Sequence, residues 1–278
     1  EDDESQENHH AERARLPYQA EVYLTERADI RQLIGVLNAD EINLPRHSSG
    51  VRGHKYEALI RAAEDKQWNT LMDMGAFSEE RDPPKGAKVL NLLWVYTAKP
   101  DDKGKLKSIK ARLPLQGTRN HVTLDDVSKG KAYSPVLLAI SLRIIVAVTI
   151  QDPQARLWQL DIECAYVTAL CRRELWVWNP QGRGHPKKAR QVLKALYGDP
   201  ESGRTFYDDL MSFHLELGFQ KMHHDQCLLV LYKSSREWIR CGWHVDDGAF
   251  AQKGEDLWKW YLCRLREKYF YTLEPLTH

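Results

Sequence analysis

The stretch Gly242-Trp243-His244-Val245-Asp246-Asp247-Gly248-Ala249-Phe250 reads GWHVDDGAF, two adjacent carboxylates with apolar residues on both sides. Asp-Gly between apolar runs is a hairpin-turn signal. In a flat strand neighbouring side chains point to opposite faces, so Asp246 and Asp247 cannot both meet one partner. At a hairpin bend they can converge. A solvated turn and a metal site are both open readings of this stretch. The residues around it, CLLVLYKSSREWIRCGWHVDDGAFAQ, read as an antiparallel meander.

A second anomaly lies upstream. Asp161 sits in WQLDIECAY, an otherwise apolar strand. A charge inside such a run costs several kcal/mol unless it is paired or bound to metal. A buried ion pair, or a strand end facing water, would also account for it. Taken with the hairpin, it suggests a site of three carboxylates and oxygen ligands only. That set suits magnesium or manganese rather than zinc. Carboxylates holding two divalent ions about 4 Å apart are the apparatus for in-line attack of a hydroxyl on a phosphate.

The chain has 278 residues, enough for one large domain or two smaller ones. It is 42% apolar and 28% charged, the balance of a soluble globular protein. No apolar run reaches the roughly 18 residues that span a membrane, so no membrane partner is expected. The acidic, polar start, EDDESQENHHAER, has neither the basic end nor the apolar stretch of a signal peptide. The five cysteines form no C-x-x-C pair, which fits free thiols in a reducing, intracellular compartment. Net charge is +1, but the basic residues cluster in KGKLKSIKAR (Lys103–Arg112) and RGHPKKAR (Arg183–Arg190). Each run is a solvated face or a nucleic-acid surface.

Residues 1 to about 15 have a disordered composition, and RHSSG before Val51 reads as a linker. HKYEALIRAAEDKQWNTLMDMGAF carries Leu59, Ala62, Trp68, Leu71 and Met72 at helical spacing. VLNLLWVYTAK and KLKSIKARLPLQ, separated by PDDKG, predict a hairpin. YSPVLLAISLRIIVAVTIQD predicts a long apolar helix with Pro135 near its start. RLWQLDIECAYVTA predicts a buried strand and turn, RELWVWNPQG a strand, and ARQVLKALYG a helix. GRTFYDDLMSFHLELGF predicts a helix with Phe206, Leu210, Phe213 and Leu217 on one face, ended by Gly218. EDLWKWYLCRLREKYF predicts a closing amphipathic helix. Helices mixed with antiparallel strands make the class α+β.

These blocks, in this order, resemble the reverse transcriptase of copia-type retrotransposons. PKGAKVLNLLWVYTAKPDDKGKLKSIKARLPLQG is similar to that family's PxGxKxIxxxWVFKxKxDxxGxxxxxKARLVAxG. YSPVLLAISLRIIVAV is similar to FSPVxxxxxxRxLLxLA, and WQLDIECAYVTALCRRELWVWNPQG to xQLDVKxAFLNGxLxExxYMxQPxG. VLKALYGDPESGRTFYDDLMSFHLELGFQKMHHDQCLL resembles LxKxLYGLKQAPRxWYxxxxxxLxxxGFxxxxxDxxLF, and HVDDGAF sits where the family has YVDDxL. The resemblance covers about residues 54 to 270.

It implies a right-hand polymerase fold with an antiparallel palm sheet backed by helices, with fingers and an incomplete thumb. Residues 1–50 would be an N-terminal extension and linker, 51–132 the first part of the fingers, and 133–278 the palm with the remaining fingers segment at about 167–200. The implied activity is RNA-directed DNA synthesis, by two-metal nucleotidyl transfer of dNTPs onto a primer 3′-hydroxyl. The implied cofactor is Mg2+ (two ions, with Mn2+ as a substitute), held by Asp161, Asp246 and Asp247 as the catalytic carboxylates. Lys110 and Arg112 match residues that hold the triphosphate, and their alternative is a solvated strand face. Tyr166 matches an aromatic that closes against C2′ of the incoming sugar, a role compatible with core packing. Arg204 matches an arginine with a template or structural role. The implied partners are an RNA or DNA primer-template, dNTPs, and a protein or chain segment supplying the thumb and RNase H region. The implied location is a cytoplasmic virus-like particle or the nucleus.

Some positions depart from the pattern. Glu201 stands where the family has a glutamine near the incoming nucleotide, and His244 where it has tyrosine. LPLQG replaces LVAKG, and VTALCRREL puts basic residues where acids are usual. An alternative is therefore a catalytically inactive domain, retained as a nucleic-acid- or protein-binding scaffold.

Overall fold

The computed structural model describes residues 34–116 and 133–276. The acidic start and the disorder expected there lie outside these residues. The elements in chain order are α1 (Glu57–Asp73), β1 (Val89–Leu90), β2 (Val95–Pro100), β3 (Leu106–Arg112), α2 (Ala139–Thr149) and β4 (Arg156–Ile162). There follow α3 (Ala165–Thr168), β5 (Leu170–Trp178), β6 (Ala189–Lys194), α4 (Ser202–Glu216), β7 (Gln220–Met222) and β8 (Asp225–Ser234). The run ends with β9 (Glu237–His244), β10 (Asp247–Lys253), α5 (Glu255–Arg266) and β11 (Tyr271–Pro275). The class is α+β, as expected.

The chain divides into two compact units. Among the described residues, the first takes in 135–165 and 209–276, the second 34–116, 133–134 and 166–208. The first unit is built on a six-stranded sheet in the order β11-β4-β10-β9-β8-β7. The β8-β9-β10 meander is present, and β4 inserts beside β10 rather than beside its sequence neighbours. One face of this sheet carries Leu160, Trp243 and Phe250, all buried. Phe250 meets Trp258 and Tyr261 of α5, and Trp243 meets His214 of α4. The opposite face receives α2. A Cβ at Gly242 would come within 2.7 Å of both Leu137 methyl carbons, so glycine there lets the start of α2 lie against the sheet.

Helix α2 is shorter than expected. Pro135 lies before the helix, and Leu138 is its extended N-cap. Asp225, buried at the start of β8, accepts hydrogen bonds from the backbone N–H of Leu138 and of Cys227 and pins that entry. Only Ser141, Ile145 and Thr149, four residues apart, are buried along α2. Ile140, Ile144 and Val148 are exposed.

The buried centre of the first unit is His214. A carbonyl can only accept, so the contact to Leu210 O (2.8 Å) places the proton on Nδ1, and Nε2 accepts from the Tyr261 hydroxyl at 2.9 Å. Burial lowers its pKa from the ordinary 6.5 to about 4, and Lys268 adds to the lowering. The folded state therefore prefers the neutral ring, and the unfolded chain binds the extra proton. Its contribution is complete above about pH 6.5 and is lost as pH falls towards 4. We expect a loss of about 3 kcal/mol across that window in urea titrations, and a flatter profile for His214→Gln.

In the second unit, β2 and β3 form the expected two-stranded hairpin, but Val89–Leu90 leaves it and pairs in parallel with β5. Tyr96, Ala98 and Ile109 face the hydrophobic cores. Glu64 of α1 is buried, with the Tyr96 hydroxyl at 2.5 Å and Arg61 at 2.8 Å. The RHSSG stretch has no buried residue, while its flanks contribute Ala39, Ile42 and Val51 to buried packing, and Asn38 holds the Lys105 ammonium at 2.7 Å. ARQVLK is a strand, β6, not a helix. It pairs with β5 and bridges to Phe77 and Arg81, and that pairing outweighs a helix preference carried by one short apolar run.

Candidate active site

Strand β4 alternates as a half-buried strand should. Leu160 and Ile162 are buried while Gln159 and Asp161 are exposed. Asp161 is thus not a charge sunk in an apolar strand. It sits near the strand's end, exposed on the face away from Leu160. Asp247 lies directly opposite it in the β4/β10 register. Directly opposed residues of an antiparallel pair share a face, with Cβ atoms roughly 5 Å apart. His244 lies opposite Asp247 in the β9/β10 register, and Thr272 opposite Asp161 in β11/β4. The exposed row across the sheet is therefore Thr272, Asp161, Asp247, His244.

Asp246 belongs to the two-residue turn that joins β9 to β10. Its carbonyl accepts the Ile162 N–H at 3.0 Å, which ties the turn to the end of β4. The turn needs Val245 at φ 60°. A β-branched residue in the left-handed region is strained. Cys164, at φ 52°, follows Asp161 by three residues. Among the described residues these are the only non-glycine residues with positive φ, and both flank the acids. Strain of this kind persists where surrounding structure over-determines it. We expect Val245→Gly to raise the urea midpoint by about 1 kcal/mol in stability while slowing any reaction that needs the turn fixed.

Asp161 and Asp247 supply oxygen ligands only, side by side and open to water. Magnesium binds through one or two carboxylates and keeps several waters, so the pair fits that ion. Among the described residues, no three His, Cys, Asp or Glu side chains form a ready-made metal cage. Asp246 is held beside the pair through its backbone.

The remaining expected residues lie in the second unit. Lys110 pairs with Thr97 and Arg112 with Val95, so both cations share the hairpin face that turns away from the core. Lys99, opposite Ser108, is on that face too. It was not singled out in the sequence, although strand alternation from Lys110 across the hairpin points to it. Lys110 and Arg112 make no ion pair with described residues. The second basic run behaves otherwise. Arg183 binds Asp65 at 2.5 Å, Lys188 binds Asp82 at 2.8 Å, and Arg190 reaches Glu80 at 3.7 Å. Those acids pair three of its four cations and leave Lys187 exposed, so most of the run is a structural network.

Tyr166 packs on Tyr197 with ring centroids 4.5 Å apart and on Phe206 at 6.0 Å. Glu201 is almost buried, with its carboxylate 3.6 Å from Arg173 Nε. Arg204 binds Asp208 one turn along α4 at 2.9 Å and lies over the Tyr207 ring. That favours a structural role for Arg204.

A sequence model described as reverse transcriptase (RNA-dependent DNA polymerase) matches residues 80–269. The chain belongs to this family. Similar chains include the retrovirus-related Pol polyprotein from transposon RE1 of Arabidopsis thaliana, 26% identical over 63% of this chain and 12% of the relative. RE2 of the same plant is 27% identical over 68% and 13%. The polyprotein from transposon TNT 1-94 of Nicotiana tabacum is 25% identical over 77% and 16%. These are transposon polyproteins, in line with the copia-type resemblance, and the chain spans about an eighth of the first two. Among solved structures, telomerase from Candida albicans with a fragment of telomeric RNA aligns at TM-score 0.45 and 8% identity, over 81% of this chain and 47% of that one. A foamy viral protease-reverse transcriptase with double-stranded DNA aligns at 0.40 and 13%, over 94% and 41%.

Proposed function

We propose that the chain is an RNA-directed DNA polymerase that adds dNTPs to a primer 3′-hydroxyl on an RNA or DNA template. The observation that carries this is the register of Asp161 against Asp247, with Asp246 in the strained turn tied to the end of β4. Asp161, Asp246 and Asp247 would hold magnesium. When bound, the metal supplies a more acidic primer hydroxyl and charge neutralisation at the phosphate. The open hairpin face with Lys99, Lys110 and Arg112 binds the triphosphate, and Tyr166 meets the sugar. His244, exposed beside Asp247, lies under the primer end, where a flat ring can support a base. In this reading the first unit is the palm and the second holds the fingers.

The test is extension of a DNA primer on an RNA template with Mg2+ and dNTPs, and its abolition by a chelator. Absence of extension on both RNA and DNA templates, with primer-template bound, overturns the catalytic reading. A second reading, a scaffold without catalysis, draws on the exposed Ile140, Ile144 and Val148 of α2, an apolar surface that a protein partner would cover. The same assay separates the two.

A further inference from the structure

Arg173 belongs to the irregular stretch of β5, where the register against β6 shifts between Leu170 and Leu175. A bulged strand re-aims its side chains. Here the guanidinium is turned onto two carboxylates. It donates from Nη2 to Asp199 Oδ1, and its Nε lies 3.6 Å from Glu201 Oε1. The acid side chains are only 6% and 10% exposed. Two carboxylates nearly out of water and this close in sequence repel each other unless one cation serves both.

The clamped segment is the entry to α4. Asp199 accepts the backbone N–H of Ser202 on its carbonyl at 3.1 Å, and its carboxylate meets the Ser202 hydroxyl at 3.4 Å and the Glu201 N–H at 3.5 Å. The same segment carries the surroundings of Tyr166. Tyr197 precedes Asp199 by two residues, and Phe206 lies on the first turns of α4. A Cβ added at Gly203 would stand 3.8 Å from the Tyr166 hydroxyl oxygen. Two ring neighbours of Tyr166, one on each side of this turn in the chain, therefore hang on the segment that Arg173 holds.

We propose that Arg173 is a positioning residue. By binding Asp199 and Glu201 together it fixes the start of α4, and through Tyr197, Gly203 and Phe206 it fixes the ring of Tyr166 against the incoming sugar. The inference rests on the polymerase reading for its substrate, though not for the clamp itself. It also assigns Glu201 a state. The carboxylate is turned into an ion pair and does not present a bare negative charge to the triphosphate.

The test compares the parent with Arg173→Gln and with the triple change Arg173→Gln, Asp199→Asn, Glu201→Gln, which removes all three charges and keeps similar shapes. Three measurements are made: KM and kcat for dNTP, the preference for dNTP over rNTP, and hydrogen exchange of the amides of residues 202–206 without substrate. Arg173→Gln should raise KM about tenfold with a smaller change in kcat, lower the sugar preference several-fold, and speed exchange in the first turn of α4. The triple variant should recover most of each. If Arg173→Gln fails to fold, Arg173→Lys should show a smaller KM rise in the same direction, since lysine keeps the charge but loses the fork. Parent-like KM, preference and exchange in Arg173→Gln or Arg173→Lys overturn the proposal. So does a loss that the triple variant leaves uncorrected. If the parent itself extends no primer, the polymerase reading fails and the exchange data alone decide whether the clamp holds.

Discussion

Asp161→Asn is expected to abolish primer extension, by at least about 10³-fold. Asp161 is exposed and faces Asp247 across adjacent strands. The amide keeps the size and loses the charge that binds a divalent cation. Urea titration of the same variant separates loss of chemistry from loss of fold. Extension of parent magnitude in Asp161→Asn would remove the acids from the mechanism. A marked drop in urea midpoint would show that Asp161 is a structural charge.

The acids could be found in the sequence, but the physical reason for suspecting Asp161 was different from what the structure shows. Its apolar neighbours suggested a buried charge. The strand is in fact covered on one face, where Leu160 and Ile162 point, and Asp161 takes the other. Which strand lies beside it was not legible, because β4 pairs with β10 and β11, both far along the chain. The β8-β9-β10 meander was legible because its pairings are local. The misread helix at ARQVLK failed for the same reason in reverse. Its partners, in β5 and around Phe77, lie outside any short window. The second basic run looked like the first in sequence, yet Asp65, Glu80 and Asp82 pair three of its cations from more than 100 residues away.

Two departures from the family pattern also change meaning once they are placed in space. Basic residues in VTALCRREL and the acid in DPESGR look like separate losses when read along the chain. In the structure Arg173 from the first meets Asp199 and Glu201 from the second. A chain decaying without constraint has no reason to supply a cation where it acquires acids. The pair is one change in charge arrangement, with the net repulsion removed.

Gly198→Ala should be the most damaging small substitution in the second unit. Gly198 has φ 89°, and a Cβ on it would stand 2.1 Å from the carbonyl oxygen of Leu115. The conformational part alone can be measured at Gly182, which has φ 79° and nothing within 4 Å of an added Cβ. Gly182→Ala is expected to cost about 1 kcal/mol. At Gly198 the obstacle is backbone, and it cannot rotate away. The Leu115 N–H donates to Tyr197 O at 2.6 Å, so the two chain segments are already joined at that point. Leu115 is also part of the core that holds Trp94, Leu113 and Leu196. Relief of the clash must therefore break that hydrogen bond or open the core, at a cost of about 4 kcal/mol in all. The displacement would reach function from both sides, since Arg112 lies three residues before Leu115 and Glu201 three after Gly198. Urea titration of the two alanine variants in parallel isolates the contribution of close approach. If Gly198→Ala costs no more than Gly182→Ala, the Leu115 contact yields freely, and the meeting of these two segments does not hold Arg112 and Glu201 in place.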